Sequence, residues 1–241
     1  MKSINKTEKL GTGKIEVEFS AKNVTPFGGI GLFCTFIEKL GVKEALDKVS
    51  DSSARNIGKK IVSIVYGFVC GLERPSDTEV LQKDKVFHIV TGQDYPHQNT
   101  FSRFLRYCSV KGGTAIGDIG TRMLFQVRNN FRDWSELTLD LDSHVKTVYG
   151  KQQRAKVGYN PKKAGRKSYH PLLCFIGETR DFLMGRFRAG NKHTSNGAVD
   201  LLKRCLRILP EHITQLYLRA DSGFYSFEFL SFWKEDTLGM R

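Results

Sequence analysis

The apolar positions of this chain recur at two spacings, and the change from one to the other divides it. Up to about residue 130 they return every three or four residues, the period of an amphipathic helix. The breaker-rich run Asn23–Gly31 predicts a helix over Leu32–Leu40, stopped by Gly41, and a second short helix over Val42–Val49. Ser50–Ser53 is a cluster of cap residues for a third helix, from Ala54 to about Gly71. Its positions Ile57, Ile61, Ile64, Val65 and Phe68 fall at core-facing spacing. Ser76-Asp-Thr-Glu79 has capping-box spacing and opens a fourth helix. Gln98–Tyr107 predicts another, capped by Asn99 or Thr100, with Phe101, Phe104 and Leu105 inward and Arg103 and Arg106 outward. A further helix covers roughly Ala115–Asn130, while the polar residues 1–20 read as an extended arm or first strand.

After Asn129–Asp133 the period becomes two. Leu137, Leu139 and Leu141 alternate with Thr138, Asp140 and Asp142, the pattern of a half-buried strand. Val145–Tyr149 is its expected hairpin partner. Lys151–His170 reads as an irregular loop. Pro171–Ile176 is continuously apolar, as in a strand buried on both faces, and Phe182–Arg188 is a fourth strand. Ala198–Leu209 is an amphipathic helix ended by Pro210, with Val199, Leu202, Cys205, Leu206 and Leu209 on one face. Ile213–Asp221 is a strand, and a helix begins near Phe227. The expected organisation is α+β: an arm over 1–20, an all-helical module over 21–132, and an α/β domain with a mixed sheet over 133–241.

Composition narrows the function classes. A hydrophobic content of 40% supports a core, yet no apolar run reaches the ~20 residues of a membrane span. Met1–Lys9 lacks the apolar stretch of a secretion signal, so a cytoplasmic location is expected. The five cysteines are widely spaced and form no CxxC, which argues against a zinc site or a disulfide framework. Charge changes the picture most. Lys and Arg number 38 against 25 acids, a net +13, which favours a polyanionic partner such as nucleic acid. The loop Lys151–His170 concentrates this, with Lys151, Arg154, Lys156, Lys162, Lys163, Arg166 and Lys167 and no acid. Such a loop suits phosphate contacts. Arg103 and Arg106, on a short helix with amide residues at its start, suit a groove or a phosphate; an ordinary surface helix reads equally well from these residues.

The candidate chemistry lies in the acids. Asp140 and Asp142 leave one face of their strand, an arrangement opposed by like-charge repulsion unless a cation or basic partner stands near. Asp221 ends a second strand just before Ser222-Gly223, a position where open α/β sheets place ligand groups. Two acids from separate strands suit a hard cation such as Mg²⁺. Two solvated acids on an exposed strand face are the plain alternative. The order of strands, an antiparallel set followed by a helix and a parallel strand, is close to that of ribonuclease-H-like domains.

These residues also carry a family resemblance. Leu139-Asp-Leu-Asp-Ser143, Gly158-Tyr-Asn-Pro161, Gly165-Arg-Lys-Ser-Tyr-His-Pro-Leu172, Arg188-Ala-Gly-Asn191 and Leu218-Arg-Ala-Asp-Ser-Gly-Phe-Tyr225 together resemble the DDE-class insertion-sequence transposases, which have a ribonuclease-H-like catalytic domain. The match is specific over roughly Leu137–Tyr225, and Gln98–Arg103 resembles the helical part in type. The resemblance implies metal-dependent DNA cleavage and strand transfer, with Mg²⁺ as cofactor and Mn²⁺ as substitute. It implies transposon-end and target DNA as partners, self-association on DNA and a nucleoid-associated location. It places the first catalytic and metal-binding Asp on Asp142, with Asp140 as fallback, and the second on Asp221. The family's third acid is a Glu within Tyr-x2-Arg-x3-Glu-x6-Lys. Glu228 and Glu235 come too soon after Asp221 and lack the flanking Tyr and Arg, so no third acid is assigned. On the resemblance the expectation is a transposase's N-terminal part, an incomplete ribonuclease-H-like domain. A catalytically inactive DNA-binding remnant, a structure-selective nuclease and a basic RNA-binding protein are the other readings.

Overall fold

The computed structural model describes residues 6–10, 13–17, 24–49, 55–108, 110–129 and 134–238. The chain divides into two compact units, Met1–Met123 and Leu124–Arg241, a division that falls inside a helix.

The first unit opens with an antiparallel hairpin, β1 (Lys6–Leu10) and β2 (Gly13–Val17). Helix α1 (Ile30–Lys39) ends at Leu40, and Gly41, at φ 63°, turns the chain into α2 (Val42–Asp47). Only glycine takes that left-handed backbone without strain. Helix α3 spans Ile57–Val69; the Ser50–Ser53 cap cluster lies outside the described residues. Its buried face differs from the expected one. Ile57, Val62, Ser63 and Tyr66 are buried, Ile61 and Ile64 are partly so, and Phe68 is 68% exposed. The physical reason is close approach. Gly58 and Gly67 leave space that Asp47 and the Tyr95 hydroxyl fill. Tyr95 then donates to the Ser63 carbonyl at 2.9 Å, and the Tyr66 hydroxyl meets Cys34 Sγ at 2.9 Å. Ile61, Ile64 and Phe68 line an apolar groove instead, with Gly67.

A 3₁₀ turn at Pro75–Asp77 precedes α4 (Thr78–Lys83), and Asp77 at the junction accepts through its side chain from the Arg74 amide at 2.8 Å. Helix α5 (Lys85–Thr91), capped by Asp84 on the Phe87 amide, had no clear sequence pattern. Helix α6 (Gln98–Tyr107) is capped by the His97 ring on the Asn99 amide at 3.2 Å, rather than by Asn99 or Thr100. Phe101 and Phe104 are buried, but Leu105 faces outward, contrary to expectation. Helix α7 runs Val110–Arg128. The core holds Cys34, Leu46, Leu81 and Phe87, with edge-on rings Tyr66–Phe87–Tyr95 at 6.2 and 5.6 Å between centroids.

The second unit is built on β3 (Glu136–Ser143), which the alternation of its leucines makes amphipathic. Beyond it come β4 (Lys146–Thr147), β5 (Lys156–Val157), β6 (Lys167–Tyr169), β7 (Leu172–Ile176), β8 (Phe182–Arg186), α8 (Ala198–Ile208), β9 (Gln215–Ala220) and α9 (Phe227–Leu238). The main sheet has the order β8-β7-β3-β9, antiparallel except for the parallel pair β3–β9. Leu137, Leu139, Leu141, Leu172, Cys174 and Ile176 pack below it with Leu201, Leu202 and Cys205 of α8.

Two strand expectations change. The hairpin partner of β3 is not Val145–Tyr149; β4 joins a separate sheet of order β4-β6-β5, and β7 takes its place beside β3. The alternating Leu172, Cys174 and Ile176 match the leucine face of β3, whereas Lys146 and Tyr149 are exposed and offer nothing to that core. Nor is β7 buried on both faces: Leu173 and Phe175 are half-buried on the side of β3 that carries the acids. The basic segment is irregular over most of its length, as expected, and is interrupted by the two short strands β5 and β6. Gly158 packs so closely on the Gly190 carbonyl that a Cβ there would collide with it.

Candidate functional site

The parallel register of β3 and β9 assembles the acids. It runs from Glu136↔Gln215 to Leu141↔Ala220, so the next step brings Asp142 and Asp221 side by side at the carboxyl ends of both strands. Asp140, Asp142 and Asp221 line one open cleft of about 510 Å³, with Phe175, Gly177, Arg180 and Arg219. A Cβ on Gly177 would crowd Thr138, 3.0 Å from its Cβ, at the edge of this cleft.

The three acids are held differently. Asp142 is exposed, and its Oδ1 accepts from the Ser143 amide at 2.7 Å. Asp221 is likewise exposed, and its Oδ1 accepts from the Gly223 amide at 2.8 Å, capping a 3₁₀ turn at Ser222–Phe224. Each thus keeps one oxygen oriented by backbone, with no side-chain partner on the other among the contacts described. Asp140 is committed elsewhere. Arg219, its register neighbour on β9, donates Nε and Nη2 to its two oxygens at 2.6 and 2.5 Å. That bidentate bond, and next the charge behind it, raises the Arg219 pKa further above its ordinary value. The repulsion expected between neighbouring acids is relieved here by a guanidinium in the sheet. Among the described residues no group of three or more His, Cys, Asp or Glu side chains forms that could hold a metal ion.

The loop cations Lys151, Arg154, Lys156, Lys162, Lys163, Arg166 and Lys167 are all exposed. Their segment is fastened at a few points. Asn160 donates to Thr147 Oγ1 at 2.8 Å and accepts from the Lys163 amide at 3.0 Å, and the Tyr169 hydroxyl donates to the Gln153 carbonyl at 2.5 Å. Arg166 lies over the Tyr149 ring at 5.9 Å. In the first unit Arg103 and Arg106 are exposed on α6. Sequence reasoning missed Arg219, Arg180, His170 and Arg188. Arg219 had a signal, because the spacing that pairs Asp142 with Asp221 also pairs Asp140 with Arg219. The other three depend on turns that no periodicity announces.

A helical unit and a mixed-sheet unit whose parallel strands end in acids define an α+β protein with an acid-lined cleft. The chain belongs to the transposase DDE domain family, group 1, whose family model matches residues 7–239. No curated protein and no solved structure matches it. Membership carries a transposase role, action on DNA and a general use of divalent metal ions. Among the described residues no helix is long and apolar enough to cross a membrane.

Proposed function

We propose that the chain is a DDE-class DNA transposase that cleaves and joins DNA strands at insertion-sequence ends, with Asp142 and Asp221 as metal ligands. The observation that carries this reading is the β3–β9 register, which makes the two acids neighbours in one open cleft. The order β8-β7-β3-β9, with one parallel pair, supports a ribonuclease-H-like sheet. The donor set fits Mg²⁺, with Mn²⁺ as substitute: both carboxylates are hard oxygen donors, anchored at one oxygen and open at the other. A metal held there supplies Lewis-acid activation of the attacking hydroxyl or water and stabilises the leaving oxygen. The chain's own part is orientation. The Ser143 and Gly223 amides fix the carboxylates and Arg219 occupies Asp140, while the exposed cations from Lys151 to Lys167 take the part of neutralising phosphates. The helical module with Arg103 and Arg106 is the proposed DNA-binding part, and action at two ends implies self-association on DNA.

The test is cleavage of element-end DNA with Mg²⁺ or Mn²⁺ by the wild type, D142A and D221A. Both variants are expected to lose cleavage and keep DNA affinity; metal-dependent cleavage surviving in either would remove that residue from the site. A second reading, DNA binding without cleavage, is favoured because Arg219 engages both oxygens of the cleft's third carboxylate, Asp140, and no group of three such side chains able to hold a metal ion forms among the described residues. A wild type that binds the same DNA yet leaves it intact with either metal supports that reading.

A further inference from the structure

Behind the cleft lies a buried guanidinium that the metal reading does not use. Arg188, just after β8, is 6% exposed. Its Nε donates to the His170 carbonyl at 2.8 Å. Its Nη1 donates to the carbonyls of His193, Thr194 and Asn196 at 3.1, 2.9 and 2.6 Å. Among the described residues no carboxylate pairs with it, and its Nη2 is buried without a partner. Burial, and next the Arg186 charge, lower its pKa. An arginine buried with four backbone carbonyls and no counter-ion is an unusual expense for a fold, since a buried charge needs compensation. It does, however, tie two separate segments to one rigid fork.

Each segment leads to one of the acids. His170, 5% exposed, sends its ring towards β3. Its Nδ1 lies 2.8 Å from the Lys192 carbonyl, which can only accept, so Nδ1 carries the proton. In the neutral ring Nε2 then accepts from the Ser143 hydroxyl at 3.0 Å. Ser143 is also the residue whose amide orients Asp142. The other segment is the turn His193–Asn196. Thr194 closes over Gly223 so tightly that a Cβ on Gly223 would stand 3.0 Å from Thr194 Cγ2. The Gly223 amide orients Asp221.

We infer that Arg188 is a positioning residue that sets the two acid-bearing strand ends against each other, through His170 and Ser143 to Asp142 and through Thr194 and Gly223 to Asp221. This rests on the proposal that those acids bind a divalent ion. Shells of this kind typically govern metal affinity by about 10- to 100-fold.

The test reads Mn²⁺ binding to the full chain by electron paramagnetic resonance of the free ion, with thermal unfolding and DNA affinity measured in parallel. Wild type is expected to bind Mn²⁺, and D142N and D221N to lose it. R188K, whose single ammonium cannot span the carbonyls, is expected to weaken binding by about tenfold or more. S143A and T194S each touch one arm and leave the guanidinium in place. They are expected to weaken Mn²⁺ binding several-fold with little change in unfolding temperature or DNA affinity. If D142N and D221N lose Mn²⁺ while R188K, S143A and T194S bind like wild type, the inference fails and the metal reading stands. Loss confined to R188K, with both one-arm variants unchanged, makes Arg188 a brace of the fold alone and also overturns it. If wild type binds no Mn²⁺, or the Asn variants bind it normally, the metal reading falls and the inference with it.

Discussion

Asp140 and Arg219 face each other across β3 and β9 at register-paired positions, and their two hydrogen bonds decide which acids the cleft offers. A carboxylate with both oxygens on a guanidinium is a poor ligand for a second cation. Asp142 and Asp221 keep an oxygen outside their backbone hydrogen bonds, so under the proposed metal reading one arginine selects between the three nearby acids. R219Q removes the competing charge and releases a third carboxylate beside the other two. The expected outcome is tighter Mn²⁺ binding than wild type at fixed ionic strength, measured by titration. Weaker binding would mean that Arg219 organises the cleft rather than restraining it.

At the scale of elements, an ion pair fastens the end of α7 to the β7–β8 turn. Arg128 Nε and Nη2 donate to Asp181 Oδ2 and Oδ1 at 2.8 and 2.9 Å. Burial pushes the Asp181 carboxyl up, but hydrogen bonds from Arg128 and Thr179 and the Arg128 charge outweigh it and hold the carboxyl below its ordinary value. A depressed folded-state value means that the unfolded chain takes up the proton first on acidification. The pair's contribution is therefore complete above the unfolded carboxyl range near pH ~4 and is lost as pH falls through the lower folded value. D181N is expected to lower the unfolding temperature at pH 7, with the deficit shrinking towards pH 3. A deficit independent of pH would assign the effect to hydrogen-bond geometry instead. Elements also show what was legible in the sequence. The leucine alternation of β3 and the acid-ended run of β9 were readable because strand period and burial agree there. The face of α3 was misread because Gly58 and Gly67 bring neighbours closer than hydrophobic spacing implies. The pairing of β4 was not legible, since it depends on which distant strand competes for its backbone edge, and the capping by His97 was not, since the neighbouring Asn99 and Thr100 are the commoner cap residues. His170 and Arg188 stand within the motifs above, but their roles rest largely on carbonyls presented by the irregular run Lys192–Asn196, which no periodicity announces.

For the whole molecule, the net charge of +13 has little acidic offset where the exposed cations concentrate. Each phosphate contact made by a basic side chain releases counterions and adds about 0.9 to the salt dependence of DNA affinity. Replacing Lys162, Lys163, Arg166 and Lys167 by Gln is expected to lower the slope of log affinity against log salt by up to about 3 to 4. The matching double change R103Q and R106Q on α6 probes the helical unit and is expected to lower it by up to about 2. Filter binding or fluorescence anisotropy across a salt series reads both slopes. A slope unchanged by the loop replacements would remove that loop from the DNA contact. Because the two units carry separate basic sites, the losses are expected to add.

The leucines below β3 and the acids above it share one strand of alternating residues. That makes length, more than residue identity, the property least free to vary there. One codon inserted or deleted between Leu137 and Asp142 exchanges the two faces, turning carboxylates into the core and leucines into the cleft. Across Pro161–Arg166 every residue is exposed and the backbone hydrogen bonds described are local ones, from Lys163 to Asn160 and from Arg166 to Lys163, so an added codon lengthens a surface turn. A library of single-codon insertions is therefore expected to lose its folded members throughout Leu137–Asp142 and to retain them in that turn.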